Sequence, residues 1–142
     1  MPGIKISPEL HKELRAVAMP LVKHKGAVLF HAGSPTRGAF LIRNGQVRLS
    51  LDGAGALFPT RTLGPGTVIG LPATFSGEPY SLTAEAAKNC NLDFIPRRKL
   101  LNLLRRNPEV GYQIVRILSE EIFQMRNVAR FPASSAGAHA VH

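Results

Sequence analysis

The stretch GAVLFHAGSPTRGAFLIRNGQVRLSL, residues 26–51, decides the fold. Its apolar runs, AVLF, AFLI and QVRLSL, are short, and glycine, proline or asparagine bounds each of them. Strands of this length between turn residues build sandwiches, rolls and barrels rather than helical bundles. Asn44-Gly45 suits the positive φ angles of a tight turn, which predicts a hairpin there. Beyond it Val47, Leu49 and Leu51 alternate with Arg48 and Ser50, so one face of the strand is apolar and the other polar. The same texture continues to Pro96 through ALFPTRTL, TVIGL, SLTAEA and NLDFI, with a further turn at LGPG, residues 63–66.

On both sides of this segment the period becomes helical. Ser7-Pro8-Glu9 combines a hydroxyl cap, a proline at the first helical position and an acid in the first turn. Leu10, Leu14, Val17 and Leu21 follow at helical spacing, with Pro20 expected to end the regular helix. After Pro96, Leu100, Leu101, Leu103 and Leu104 predict a short helix ending near RRN. Asn107-Pro108-Glu109 repeats the start signal and opens a helix to about Arg130, where Arg126 and Arg130 suit the negative end of the helix dipole. Val110, Ile114, Ile117, Leu118, Ile122, Met125 and Val128 recur along it three and four residues apart. The tail FPASSAGAHAVH is small and unpatterned, and we expect it to be flexible.

A chain of 142 residues, 44% of them hydrophobic, has the makings of one domain with a full core. No apolar run reaches the ~20 residues of a membrane span, so no membrane partner is expected. The N-terminus MPGIKISPEL lacks the charged-then-apolar order of an export signal. A single cysteine, Cys90, excludes an internal disulfide and reads as a buried structural thiol in a cytoplasmic protein. The net charge of +9 invites nucleic acid, but the 18 basic residues are spread from Lys5 to Arg130. Only PRRK (Pro96 to Lys99) and the pair Arg105, Arg106 are clustered, and no aromatic residues interleave with them to stack bases. Sequence-specific DNA contact by this chain alone is not expected. His24 and His31 have no second ligand cluster, and the His-x-His and glutamate of a metal-dependent barrel enzyme are absent. We therefore expect no metal site, no catalytic residue and no enzyme activity.

GAVLFHAGSPTRGAFLIRNGQVRLSL, LGPGTVIGL and NCNLDFIPRRKLLNLLRRNPEVG, in that order, resemble the sensor domain of the cyclic-nucleotide-binding, Crp/Fnr-type bacterial regulators. The likeness covers about residues 8–131. It implies a mainly β fold with flanking helices: a double-stranded β-helix, or jelly-roll β-roll, over about 22–96 and closing helices over about 97–131. The whole of 1–131 would be one cyclic-nucleotide-binding-like domain, with 132–142 as the tail. The resemblance also implies a phosphate-binding cassette at GLPATFSGEPYSLTAEA, residues 70–86. Family members that bind a cyclic nucleotide open this cassette with glycine-glutamate, the carboxylate meeting the ribose hydroxyl. They also carry an arginine before a small hydroxyl residue, and its guanidinium pairs with the cyclic phosphate. Here Leu71 follows Gly70, and Tyr80 precedes Ser81. The candidate ligand residues are Gly70, Leu71, Thr74, Tyr80, Ser81 and Thr83, with Ser76 as a further hydroxyl. Two readings stay open: backbone amides and hydroxyls still hold an anion, or the pocket has collapsed with Tyr80 in the nucleotide's volume. On either, cyclic nucleotide is not an expected cofactor.

The family's transcription factors continue past the long helix into a helix-turn-helix domain, whereas this sequence stops shortly after it. We read the chain as complete: a regulatory sensor domain with a degenerate pocket and no helix-turn-helix. One small roll cannot cover both sides of so long a helix, which makes Val110, Ile114, Ile117, Leu118, Ile122 and Met125 the expected seam of a homodimer. Its output would pass to a protein partner or a DNA-binding subunit. The alternative is a DNA-binding regulator acting through its basic surface or through a missing C-terminal domain.

Overall fold

The computed structural model describes residues 4–5, 7–51 and 60–129. Nine strands and four helices occupy the described residues. One sheet runs, in spatial order, β1 (Ile4–Lys5), β7 (Thr67–Ile69), β4 (Gly38–Asn44), β9 (Cys90–Pro96) and β2 (Met19–Lys23). The facing sheet runs β3 (Val28–Phe30), β8 (Thr83–Ala86), β5 (Val47–Ser50) and β6 (Arg61–Leu63). Every pairing is antiparallel. The helices are α1 (Pro8–Arg15), α2 (Leu71–Ser76), α3 (Arg97–Arg106) and α4 (Pro108–Ala129). This is the mainly antiparallel roll with flanking helices that the turn-punctuated sequence implies.

The larger sheet is buried on both faces, and β4 shows how. Phe40 and Ile42 point between the sheets, into a core with Val47, Leu49, Ile69, Leu82 and Leu92. Ala39 and Leu41 point the other way, into a second core built with Leu10, Leu14, Leu100, Leu103, Val110 and Ile114 from the helices. A strand with two buried faces reads as an unbroken apolar run, and AFLI is one. On β5, by contrast, Val47 and Leu49 are buried while Arg48 reaches Glu85 on the outer face, Nη1 to Oε1, at 3.8 Å.

The N-terminal helix starts where its signal stands: the Ser7 hydroxyl accepts from the Leu10 amide at 3.2 Å. It is shorter than its apolar spacing suggests. Arg15 is its last residue, and Met19, Pro20 and Leu21 belong to β2 instead. β2 lies at the edge of its sheet, where a residue without an N–H is tolerated. The turn at Asn44-Gly45 also differs from expectation. β4 and β5 lie in different sheets, so the pair makes a corner between layers rather than a hairpin. Gly45 has φ +95, and a Cβ there would collide with the Asn89 carbonyl oxygen and lie 2.9 Å from the Cys90 Sγ.

One polar tie fastens α1 to the roll, and another fastens the helices to each other. The Asp93 carboxylate of β9, 4% exposed, faces the Arg15 Nε at 3.4 Å and the Arg43 Nε at 3.7 Å. Asn107, between α3 and α4, accepts from the Val110 amide and donates to the Glu13 carboxylate, each at 3.4 Å. Among the described residues no helix is long and apolar enough to cross a membrane.

The Gly45 corner yields a first prediction. Gly45→Ala must accept a left-handed backbone and displace the Asn89 peptide, and should lower stability by about 1–3 kcal/mol or more in urea denaturation. Unchanged stability would mean that the corner relaxes freely.

Candidate functional site

The cassette segment does form a helical turn. Gly70, with φ +78, bends the chain out of β7, and α2 follows for six residues before Gly77 ends it at φ +83. The left-handed backbone favours glycine there, and an added Cβ would also crowd the Tyr80 ring at 3.1 Å. Leu71 does not face the roll interior. It is 1% exposed and belongs to the outer core with Leu100 and Ile114, so the family's carboxylate position carries helix packing here. Thr74 is fully buried, and its hydroxyl donates to the Gly70 carbonyl at 2.7 Å. The Thr83 hydroxyl accepts from the Ala32 amide at 2.9 Å, and that of Ser76 accepts from the Glu78 amide at 3.2 Å. These hydroxyls hold backbone in place.

Tyr80 occupies the centre of the site. It is 5% exposed, and its ring stacks on Phe30 with centroids 3.8 Å apart and planes 13° apart. Its hydroxyl donates to the Gly38 carbonyl at 2.6 Å and accepts from the amides of Arg37 and Gly38 at 3.1 and 3.2 Å. Its backbone closes the same clasp: the Gly33 amide donates to the Tyr80 carbonyl at 2.7 Å, and the Tyr80 amide donates to the Ser34 carbonyl at 3.0 Å. Gly70, Tyr80 and Ser81 come together, with Phe30, Leu49, Ala73 and Leu82, around a residual cavity of about 10 Å³. That is room for about one water molecule.

The clustered arginines separate. The Arg97 Nε donates to the Thr74 carbonyl at 2.9 Å, and its guanidinium packs where a Cβ on Gly77 would stand, so this cation braces the back of α2. Lys99, Arg105 and Arg106, with Asn102, instead line a groove of about 450 Å³ between α3 and the end of α1 at Ala16 and Val17. Arg98 is exposed. Cys90 is buried, donates to the Gln46 and Lys88 carbonyls at 3.2 and 3.1 Å, and burial pushes its thiol up from the ordinary value. No group of His, Cys, Asp and Glu fit to hold a metal ion occurs among the described residues.

The expected seam divides as well. Val110 and Ile114 are 3% and 0% exposed within a single protomer, in the core with Leu10 and Leu41, and Leu118 packs partly against the same cluster. They are spent inside the domain because the first turns of α4 cover the outer face of the sheet. Tyr112 and Val115, 60% and 47% exposed, form the outward face of α4. The side chains of Ile117, Ile122 and Met125 lie outside the described residues.

A third concavity was not foreseen. It is a groove of about 480 Å³ whose wall includes Phe30, Phe40, Phe94 and Tyr80 and whose lining includes Lys23, His31 and Arg37. These residues come from four strands and the adjoining loops, and nothing in the sequence groups them.

The frame of the site is thus a two-sheet roll with a short helical turn in the crossover between β7 and β8. Residues 21–107 match the model of the cyclic nucleotide-binding domain, and the chain belongs to that family. It is 30% identical over 99 residues to the transcriptional activator protein Anr of Pseudomonas aeruginosa, covering 69% of this chain and 40% of Anr. It is 25% identical over 115 residues to patatin-like phospholipase domain-containing protein 6 of Pongo abelii, covering 79% of this chain and 8% of that protein. The chain thus spans less than half the length of either relative. The catabolite activator protein of Thermus thermophilus shares the fold with a TM-score of 0.79 at 22% identity, over 90% of this chain and 61% of that one.

The Tyr80 clasp is open to direct measurement. Tyr80→Phe keeps the ring stack but leaves the buried Gly38 carbonyl and two amides short of a partner, and should cost about 1–3 kcal/mol in urea denaturation. A loss below about 0.5 kcal/mol would show that water replaces the hydroxyl without penalty.

Proposed function

We propose that this chain is a regulatory sensor domain of the Crp/Fnr type whose nucleotide pocket is closed by its own tyrosine. The observation that carries this is the Tyr80 side chain, stacked on Phe30 and bonded at Gly38 in the roll interior. Leu71, turned into the outer core, supports it, since no carboxylate faces the pocket from that position. Buried phosphate needs a compensating charge or several hydrogen bonds, and here the hydroxyls of Thr74, Ser76 and Thr83 already have partners within the chain.

The output in this proposal is protein contact rather than catalysis. The relatives include a transcriptional activator and a protein named for a phospholipase domain, and a module found in both is consistent with a regulatory unit. We place it in the cytoplasm as a homodimer, joined through the outward face of α4 at Tyr112 and Val115 rather than through Val110 and Ile114. Sequence-specific DNA contact by this chain is not part of the proposal. Arg97 is engaged at α2, and the Lys99–Arg105–Arg106 groove suits phosphate charge rather than base edges.

Titration calorimetry with cyclic AMP and cyclic GMP tests the closed pocket. Each missing charge-assisted bond is worth ~1.5–3 kcal/mol, so the absence of both family anchors should weaken binding by roughly two to four orders of magnitude. A micromolar or tighter constant for either nucleotide overturns the proposal.

The seam is tested by analytical ultracentrifugation at micromolar concentration. The native chain should sediment as a dimer, and Tyr112→Glu/Val115→Glu as a folded monomer, because both side chains are exposed within the protomer. A native monomer, or a variant that stays dimeric, removes this face from the assembly.

A further inference from the structure

We propose that the groove between the β2 and β3 edges binds a small amphiphile with one anionic head and an apolar tail. This site opens beside the cassette cavity and shares Phe30 and Tyr80 with it, so it rests on the reading that Tyr80 fills the cassette.

The topology makes the groove. β2 is the edge of one sheet and pairs only with β9, and β3 is the edge of the other and pairs only with β8. Among the described residues no ladder joins the two edges, so the roll opens between them. The chain crosses at one end through the turn at residues 24–27, where the Ala27 amide donates to the His24 carbonyl at 2.9 Å. The opening holds about 480 Å³, within the roughly 300–1,000 Å³ of small-molecule sites.

Its wall is a continuous run of rings. Tyr80 stacks on Phe30, Phe30 meets Phe40 with centroids 5.8 Å apart, and Phe40 meets Phe94 at 5.0 Å. Leu21 and Leu29, both partly buried, extend the apolar surface onto β2 and β3. The clasp that fills the cassette therefore also fixes this wall, since the Tyr80 hydroxyl and backbone pin residues 33–38 beside it.

The ionisable side chains of the groove are basic: Lys23, His31 and Arg37 line it, and no carboxylate does. Neither Lys23 nor Arg37 has an ion-pair partner among the described residues. An apolar trough bordered by unpaired cations selects for an anion with a tail. A neutral hydrocarbon would leave the cations unused, and a small inorganic anion would leave the apolar wall unused.

The probes are decanoate and decyl phosphate, each below its micellar range, with decanol and decyltrimethylammonium as the same tail without a head charge and with the opposite one. We expect saturable binding of at least one anion, with backbone amide shifts centred on Leu21, Lys23 and Phe94, weaker binding of decanol and none of the cation. Preference between the two anions assigns the head as carboxylate or phosphate. Lys23→Gln/Arg37→Gln, which breaks no ion pair, should weaken the anion by about tenfold or more while leaving the thermal midpoint unchanged. The proposal is overturned if neither anion binds below about 1 mM. It is equally overturned if the cationic amphiphile binds as well as the anions, or if the folded double variant keeps full affinity.

Discussion

The Tyr80 hydroxyl donates to the Gly38 carbonyl and accepts from the amides of Arg37 and Gly38, so one side chain satisfies three backbone groups at the start of β4. The geometry around it follows from that arrangement. Gly38 can approach so closely because it has no Cβ: an added carbon would meet the Ile95 carbonyl oxygen and stand 2.9 Å from the Phe94 ring. Gly70 is constrained from the opposite side by the same tyrosine ring. Buried backbone groups left without partners would cost more than the bonds themselves contribute, so the phenol is a structural requirement of the segment from Gly33 to Gly38.

That segment matters because β4 carries both cores. Its alternate residues face the roll interior and the helices, so a disturbance at the start of β4 is felt on both sides of the larger sheet. Arg97 adds a second link, joining the Thr74 carbonyl of α2 to the first turn of α3, while its own amide donates to the Arg37 carbonyl at 3.0 Å. The cassette, the clasp and the outer helices are therefore one mechanical unit. Interiors packed in this way respond to a perturbation by switching arrangement rather than by deforming smoothly.

Closing one concavity shapes another. The ring that leaves about 10 Å³ beneath the cassette is the inner end of the aromatic wall in the groove at the sheet edges. A family architecture can thus keep its fold while its polar anchors change. The fold depends on the apolar alternation and on the tight corners, whereas the ligand depends on a few side chains at the cassette.

The sequence by itself determined the class of architecture. Each of the seven apolar runs between residues 27 and 96 contains a strand, and both cap-proline-acid signals start helices. These features are local: period, turn chemistry and capping act over a few residues and are readable in order. That Leu71 and Tyr80 stand where the resembled family carries its nucleotide anchors is read from the resemblance alone. Tertiary structure alone decided which strands share a sheet, and so turned Asn44-Gly45 into a corner between layers. It sent Pro20 and Leu21 to an edge strand rather than a helix, because pairing with β9 outweighed their helical spacing. It also committed Val110 and Ile114 to the protomer's own core, since an apolar stripe states that a face is covered but not by which surface. The basic-rimmed groove was beyond sequence reasoning for the same reason: Lys23, His31, Arg37 and Phe94 meet only where two sheet edges fail to join.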